Sequence, residues 1–134
     1  MHNLIKVKHI ESIRQAHPEA KIIVHPECMP EVVDLADASG STSGIIRYVQ
    51  EANQGDKIYI GTEINLVQRL AQEHGPEKTI RPVLDTACSN MAKITAEKLA
   101  NHLENIVSAS KVTVADDIQQ DALLALERML KVCA

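Results

Sequence analysis

Lys21-Ile22-Ile23-Val24-His25-Pro26-Glu27-Cys28 is an aliphatic run that passes without a spacer into imidazole, carboxylate and thiol. Its apolar part is too short for a helix and is bounded by Pro26, so it predicts a strand over 21–25. The same pattern recurs three times. Asp37-Ala38-Ser39 leads into Gly40-Ser41-Thr42-Ser43-Gly44. Lys57-Ile58-Tyr59-Ile60 leads into Gly61-Thr62-Glu63. Thr79-Ile80-Arg81-Pro82-Val83-Leu84 leads into Asp85-Thr86-Ala87-Cys88. In a parallel sheet all four tails lie on one edge, and ligands bind outside the carboxyl ends of such strands.

The stretches between the strands carry helical spacing. Ile10, Ile13 and Ala16 predict a helix over 8–17, stopped by Pro18. Pro30 suits a first helical position, with Val32, Val33, Leu35 and Ala36 behind it. Ile45, Ile46, Tyr48 and Val49 predict a helix over 44–53 with Thr42 or Ser43 as N-cap. Gly55-Asp56 turns the chain into the third strand. Thr62 is placed to cap a helix over 63–74 that ends at Gly75-Pro76, and Pro82 marks the fourth strand as an edge. A connection over 85–94 is longer than the usual 2–6 residues of such loops. Thr95 then opens a helix over 96–107, a break follows at 108–113, and a last helix covers 114–131. The alternation predicts an α/β fold, a three-layer αβα sandwich with a four-stranded parallel sheet, over residues 1–110, and a C-terminal helix within 111–134.

The totals fit this picture. A chain of 134 residues makes one domain, and with no Phe or Trp its core must be aliphatic. The net charge of −4 argues against a nucleic-acid partner, which needs clustered Lys and Arg. No apolar run approaches the roughly 20 residues of a membrane helix, and no signal peptide is read, so the expected compartment is the cytoplasm. Cys28, Cys88 and Cys133 are odd in number and widely spaced, which is no disulfide framework.

The strand tails supply the candidate chemistry. His25 and Glu27 stand two apart, so both side chains can point into one cleft and handle protons. Ser41 and Thr42 sit in a Gly-flanked turn opening a helix, where hydroxyls and backbone N–H groups favour an anion. Cys88 occupies the long loop. Cys28 reads as a small buried residue, since it and His25 are too close in sequence to meet at reacting geometry. His2, His9, His17, His74 and His102 read as solvated, and Thr62 and Glu63 as capping residues, with the Glu63 charge favourable in a first helical turn.

In combination these motifs resemble a family. His25-Pro-Glu-Cys28-x-Pro-Glu-Val-Val, Ala36-Asp37 leading to Gly40-Ser-Thr-Ser-Gly44-Ile-Ile-Arg47-Tyr48, Ile60-Gly-Thr-Glu63, and Cys88-Ser-Asn-Met91-x-Lys93-Ile-Thr95-x-Glu97-Lys98-Leu99 are similar in order and spacing to quinolinate synthase, over roughly residues 8–131. The resemblance implies three αβα domains around a cavity, of which this chain matches the third and its trailing helix. It implies a [4Fe–4S] cluster held by one cysteine per domain, with one iron open to substrate, and a condensation of iminoaspartate with dihydroxyacetone phosphate to quinolinate, the precursor of the NAD pyridine ring. Cys88 would be the cluster ligand from this chain. Glu27 and His25 would be catalytic and substrate-binding, with Ser41 and Thr42 on substrate oxygens. The N-terminal domains with the other two ligands are missing, as if the chain began just after the second ligand. One thiol cannot hold four irons, so the chain alone is expected to be inactive and free of cluster. The face meant for the missing domains is expected to expose apolar surface and to self-associate. Two other readings stand beside this one: a non-catalytic module binding a phosphate or dicarboxylate metabolite, and a cysteine- or zinc-dependent hydrolase using His25, Glu27 and Cys28.

Overall fold

The computed structural model describes residues 1–108 and 111–133, and its elements form two compact units, Met1–Ile94 and Thr95–Ala134. In the first unit a 3-10 turn at His2–Leu4 precedes α1 (Val7–Ala16), β1 (Lys21–Val24), α2 (Pro30–Leu35), β2 (Ala38–Ser39), α3 (Thr42–Glu51), β3 (Lys57–Gly61), α4 (Ile64–His74) and β4 (Thr79–Pro82). The four strands are parallel in the order β2-β1-β3-β4. This is the α/β sandwich expected from the sequence, and β4, with its Pro82, is an edge strand.

Strand alternation divides the core into two layers. Ile22 and Val24 of β1 and Tyr59 of β3 face one way and pack with Ile5, with Ile10 and Ile13 of α1 and with Val32 of α2. Ile23, Ile58, Ile60 and Ile80 face the other way, against Ile45 and Val49 of α3 and Val67 and Leu70 of α4. The strands are therefore apolar on both faces, as a sheet covered by helices on both sides requires.

Side chains complete the sheet where strands are short. β2 pairs with β1 through only Ile23↔Ala38 and Val24↔Ser39. Asp37 extends that ladder, its carboxylate accepting from the Ile22 N–H at 2.6 Å while its own N–H donates to the Ile22 carbonyl. Arg14 holds the other oxygen of Asp37 at 2.7 Å and also donates to the Ala20 carbonyl. Lys78 is 6% exposed, and its ammonium donates to the Val49 and Gln50 carbonyls at the C-terminus of α3. Gly55, at φ +86, makes the turn before β3.

Several boundaries differ from the sequence reading. The N-cap of α3 is Ser41, whose hydroxyl accepts from the Gly44 N–H at 3.3 Å, and not Thr42 or Ser43. The cap of α4 is the Glu63 carboxylate, which accepts from the Asn65 N–H, while Thr62 is buried instead. The fourth strand ends at Pro82, whose nitrogen faces the open edge while the Val83 N–H makes the last bond to the Ile60 carbonyl of β3. In the second unit α5 (Ala96–Glu104), capped by Thr95 as expected, is shorter than predicted, and α6 (Asp116–Cys133) begins later. Neither helix buries a residue: Leu99 and Leu103 of α5 and Ile118, Leu126 and Leu130 of α6 are exposed. The predicted boundary at 110/111 and part of the break at 108–113 fall on residues 109 and 110, outside the described residues. Among the described residues no helix is long and apolar enough to cross a membrane.

The register Val24↔Gly61 joins the two central strands at their carboxyl ends. A Cβ on Gly61 would lie 2.7 Å from Val24 Cγ1, inside a wholly buried contact. Gly61→Ala is expected to lower stability by about 1–3 kcal/mol, read as a fall in the urea midpoint with an unchanged slope. An unchanged midpoint would mean that this contact does not constrain the sheet.

Candidate functional site

The strand order reverses between β1 and β3: the connection through α2 leads from β1 to one side, and the path through α3 returns to the other. Their carboxyl ends therefore open a crevice at the switch point of the sheet. A cavity of about 480 Å³ lies there, a size suited to a small metabolite. His25 and Glu27 enter it from the end of β1, Thr42 from the start of α3, Thr62 and Glu63 from the end of β3, and Cys88 from the long loop. Four of the five residues singled out in the sequence thus share one cavity. The fifth, Ser41, is not among its lining residues; its hydroxyl oxygen is engaged in capping α3.

Local bonding sets each position. The His25 N–H donates to the Gly61 carbonyl at 3.0 Å, fixing the end of β1 against β3. The Glu27 N–H donates to His25 Nδ1 at 3.2 Å, which turns the ring. In the neutral imidazole this contact assigns the proton to Nε2. The Ile64 N–H donates to the Thr86 carbonyl, and Ala92 N–H to the Cys88 carbonyl, so the long loop folds back beside the start of α4. Both Glu63 oxygens are engaged, by the Asn65 N–H at 2.8 Å and the Asn65 side-chain amide at 2.6 Å.

His2, read from the sequence as solvated, belongs to this site. Its ring stacks on His25 with centroids 4.4 Å apart and planes 5° from parallel. Its Nδ1 lies 3.0 Å from Glu27 Oε2 and its Nε2 lies 3.4 Å from the Thr62 hydroxyl. Its side chain is 15% exposed. No local signal marks it, because its partners are 23, 25 and 60 positions away. Donor atoms of His2, His25 and Glu27 all lie within 4.8 Å of one another, a spacing open to a metal ion. The parallel rings argue otherwise, since one ion cannot lie in two stacked ring planes. The trio is a hydrogen-bonded stack.

The thiols differ sharply. Cys28 is buried, its sulfur 3.8 Å from the Gly61 carbonyl, and burial pushes its pKa up. It packs in the core and does not line the cavity, which removes it as a partner of His25. Cys88 is half-buried and faces the cavity. The N–H groups of Met91 and Asn90 donate toward its sulfur and pull its pKa down. The chemistry of Cys88 fits a ligand for a soft metal centre, and among the described residues it is the one cysteine lining this cavity. Burial also lowers the pKa of His25; the neighbouring His2 adds to this and Glu27 opposes it. The cavity therefore pairs an imidazole favoured as neutral with a carboxylate, an arrangement suited to moving protons on a polar substrate.

Comparison with known proteins finds matches along nearly the whole chain. The family model for quinolinate synthetase A protein matches residues 1–131. The chain is 45% identical over 136 residues to quinolinate synthase of Anoxybacillus flavithermus, covering 97% of this chain and 36% of that protein. It is 44% identical to quinolinate synthase of Herpetosiphon aurantiacus, over 98% of this chain and 36% of that one. For quinolinate synthase of Methanoregula boonei the identity is 47% over 87% of this chain and 38% of the relative. The chain thus spans little more than a third of the length of these relatives.

Two measurements test the electrostatics. In a Cys133→Ser background, iodoacetamide is expected to modify Cys88 well before Cys28; simultaneous labelling would contradict the burial and polarity assigned to them. His25 is expected to titrate below its ordinary value of 6.5. Because the unfolded chain then takes up the proton first, stability should fall as pH drops through 6.5 toward the folded value. An NMR midpoint for His25 at or above 6.5 would overturn this assignment.

Proposed function

The chain belongs to the quinolinate synthetase A protein family, and on that premise we propose that it forms one wall of a quinolinate synthase active site. The reaction of the whole enzyme is the condensation of iminoaspartate with dihydroxyacetone phosphate to quinolinate, in NAD biosynthesis. The observation that carries this reading is the meeting of His25, Glu27, Thr42 and Cys88 in one cavity at the switch point of the sheet.

In this reading Glu27 takes and returns protons during the condensation. His2, hydrogen-bonded to its Oε2, fixes the carboxylate's orientation. His25 is neutral and donates from Nε2 to a substrate oxygen, with its Nδ1 held by the Glu27 N–H. Thr42 offers a hydroxyl from the cavity wall. Ser41, outside the cavity lining, accepts from the Gly44 N–H and caps the helix that presents Thr42. Cys88 would be this chain's ligand to a [4Fe–4S] cluster, whose open iron supplies a Lewis acid for substrate oxygens. Its polarised, partly exposed thiol suits that role, and the other ligands have to come from polypeptide outside this chain.

Two experiments test the proposal. Treated alone with iron and sulfide under anaerobic conditions, the chain should form no stable cluster; one cluster per monomer would overturn the shared-ligand reading. Combined with the N-terminal two-thirds of the Anoxybacillus flavithermus relative and reconstituted, it should form quinolinate. Glu27→Gln should then lower the rate by roughly a hundredfold or more, and Cys88→Ser should abolish cluster assembly. Full activity in both variants would end the proposal.

A further inference from the structure

The charge of the cavity is at odds with the anionic substrates proposed for it. Its lining carries two carboxylates, Glu27 and Glu63, and burial disfavours a charge on His25. Among the described residues Arg69 is the one Lys or Arg on its wall. Arg69 stands one turn beyond Asn65 on α4, and these two residues with Leu66 form the helix's contribution to the cavity.

The guanidinium is nearly unengaged. It carries five N–H donors in a planar fork. Among the described residues its single polar approach is Nε to Glu73 Oε1 at 3.7 Å, with the two side chains 54% and 52% exposed. An exposed pair of that length contributes little and leaves both terminal NH2 groups for another partner. Their geometry matches the paired oxygens of a carboxylate or phosphate. Thr42, from the neighbouring helix on the same face of the sheet, supplies a hydroxyl on the same wall.

We propose that Arg69 seats an oxyanion of the ligand, carboxylate or phosphate, against this wall of the cavity and so sets its specificity. The proposal rests on the function argued above for the identity of its substrates, but the anion site can be tested without turnover. Calorimetry on the 134-residue chain would use three probes: dihydroxyacetone phosphate, inorganic phosphate and malonate. Binding of at least one probe is expected, weakened roughly tenfold or more by Arg69→Gln. Arg69→Lys should recover part of it, and Arg47→Gln, an exposed arginine off the cavity, should change nothing. A loss confined to the phosphate probes assigns the site to phosphate, and one confined to malonate assigns it to carboxylate. Equal binding in wild type and Arg69→Gln, or no binding of any probe at millimolar concentration, overturns the proposal. Binding that survives Arg69→Gln but is lost in Thr42→Val removes Arg69 and leaves the cavity's function standing. Arg69-dependent binding without quinolinate formation in the reconstituted pair removes the reaction and keeps the anion site.

Discussion

The site depends on one contact between backbones. β1 and β3 can run side by side to their ends only because Gly61 has no side chain to meet Val24. That approach lets the His25 N–H reach the Gly61 carbonyl and lets Cys28 pack its sulfur against the same carbonyl. A side chain there would push apart the strand ends whose closeness defines the crevice. The two apolar layers then hold the strands from both sides, so the positions of His25, Glu27, Thr62 and Glu63 follow from packing. Residues placed by a rigid sheet are held more closely than residues on a free loop.

The electrostatics follow from the same geometry. Partial burial disfavours a charge on His25, and the imidazole of His2 stacked on it at 4.4 Å adds to that bias. Glu27 pulls the other way, and His2 answers it directly through Nδ1. The stack thereby divides the work: His2 is tied to the carboxylate and to Thr62, while His25 is left with a free Nε2. A metal ion would need the two rings turned out of register, breaking these contacts.

How much of this was legible depends on how local the cause is. β1, β3 and the helices read cleanly because β-branched runs and 3.6-residue spacing are properties of neighbouring residues. The convergence of His25, Thr42 and Cys88 was legible too, since parallel strands put all their tails on one edge. Capping was misread where eligible side chains are adjacent: Thr42 or Ser43 was expected where Ser41 caps, and of Thr62 and Glu63 only Glu63 does, choices that backbone geometry decides. β2 was weak in sequence because its support is the Asp37 carboxylate on Ile22, which propensity does not register. His2 was missed because its partners are distant in the chain. Arg69 carries no sequence signal that sets it apart from other helix residues, and only the cavity beside it singles it out.

Cys28 and Cys88 show how one edge of a sheet separates structure from chemistry. Both follow a strand, and Cys28 has the more suggestive neighbours in His25 and Glu27. The chain after β1 turns at once, the Cys28 N–H donating to the His25 carbonyl, and this carries the sulfur into the core. The chain after β4 does not turn until Ala92 reaches back to Cys88, so that sulfur stays at the cavity with two N–H groups directed toward it. A buried thiol with a raised pKa is a poor ligand and a good packing group; a polarised, accessible one is the reverse. The chain therefore presents one accessible thiol at its cavity, on the same edge of the sheet as His25 and Glu27, and keeps the other strand-end thiol as packing.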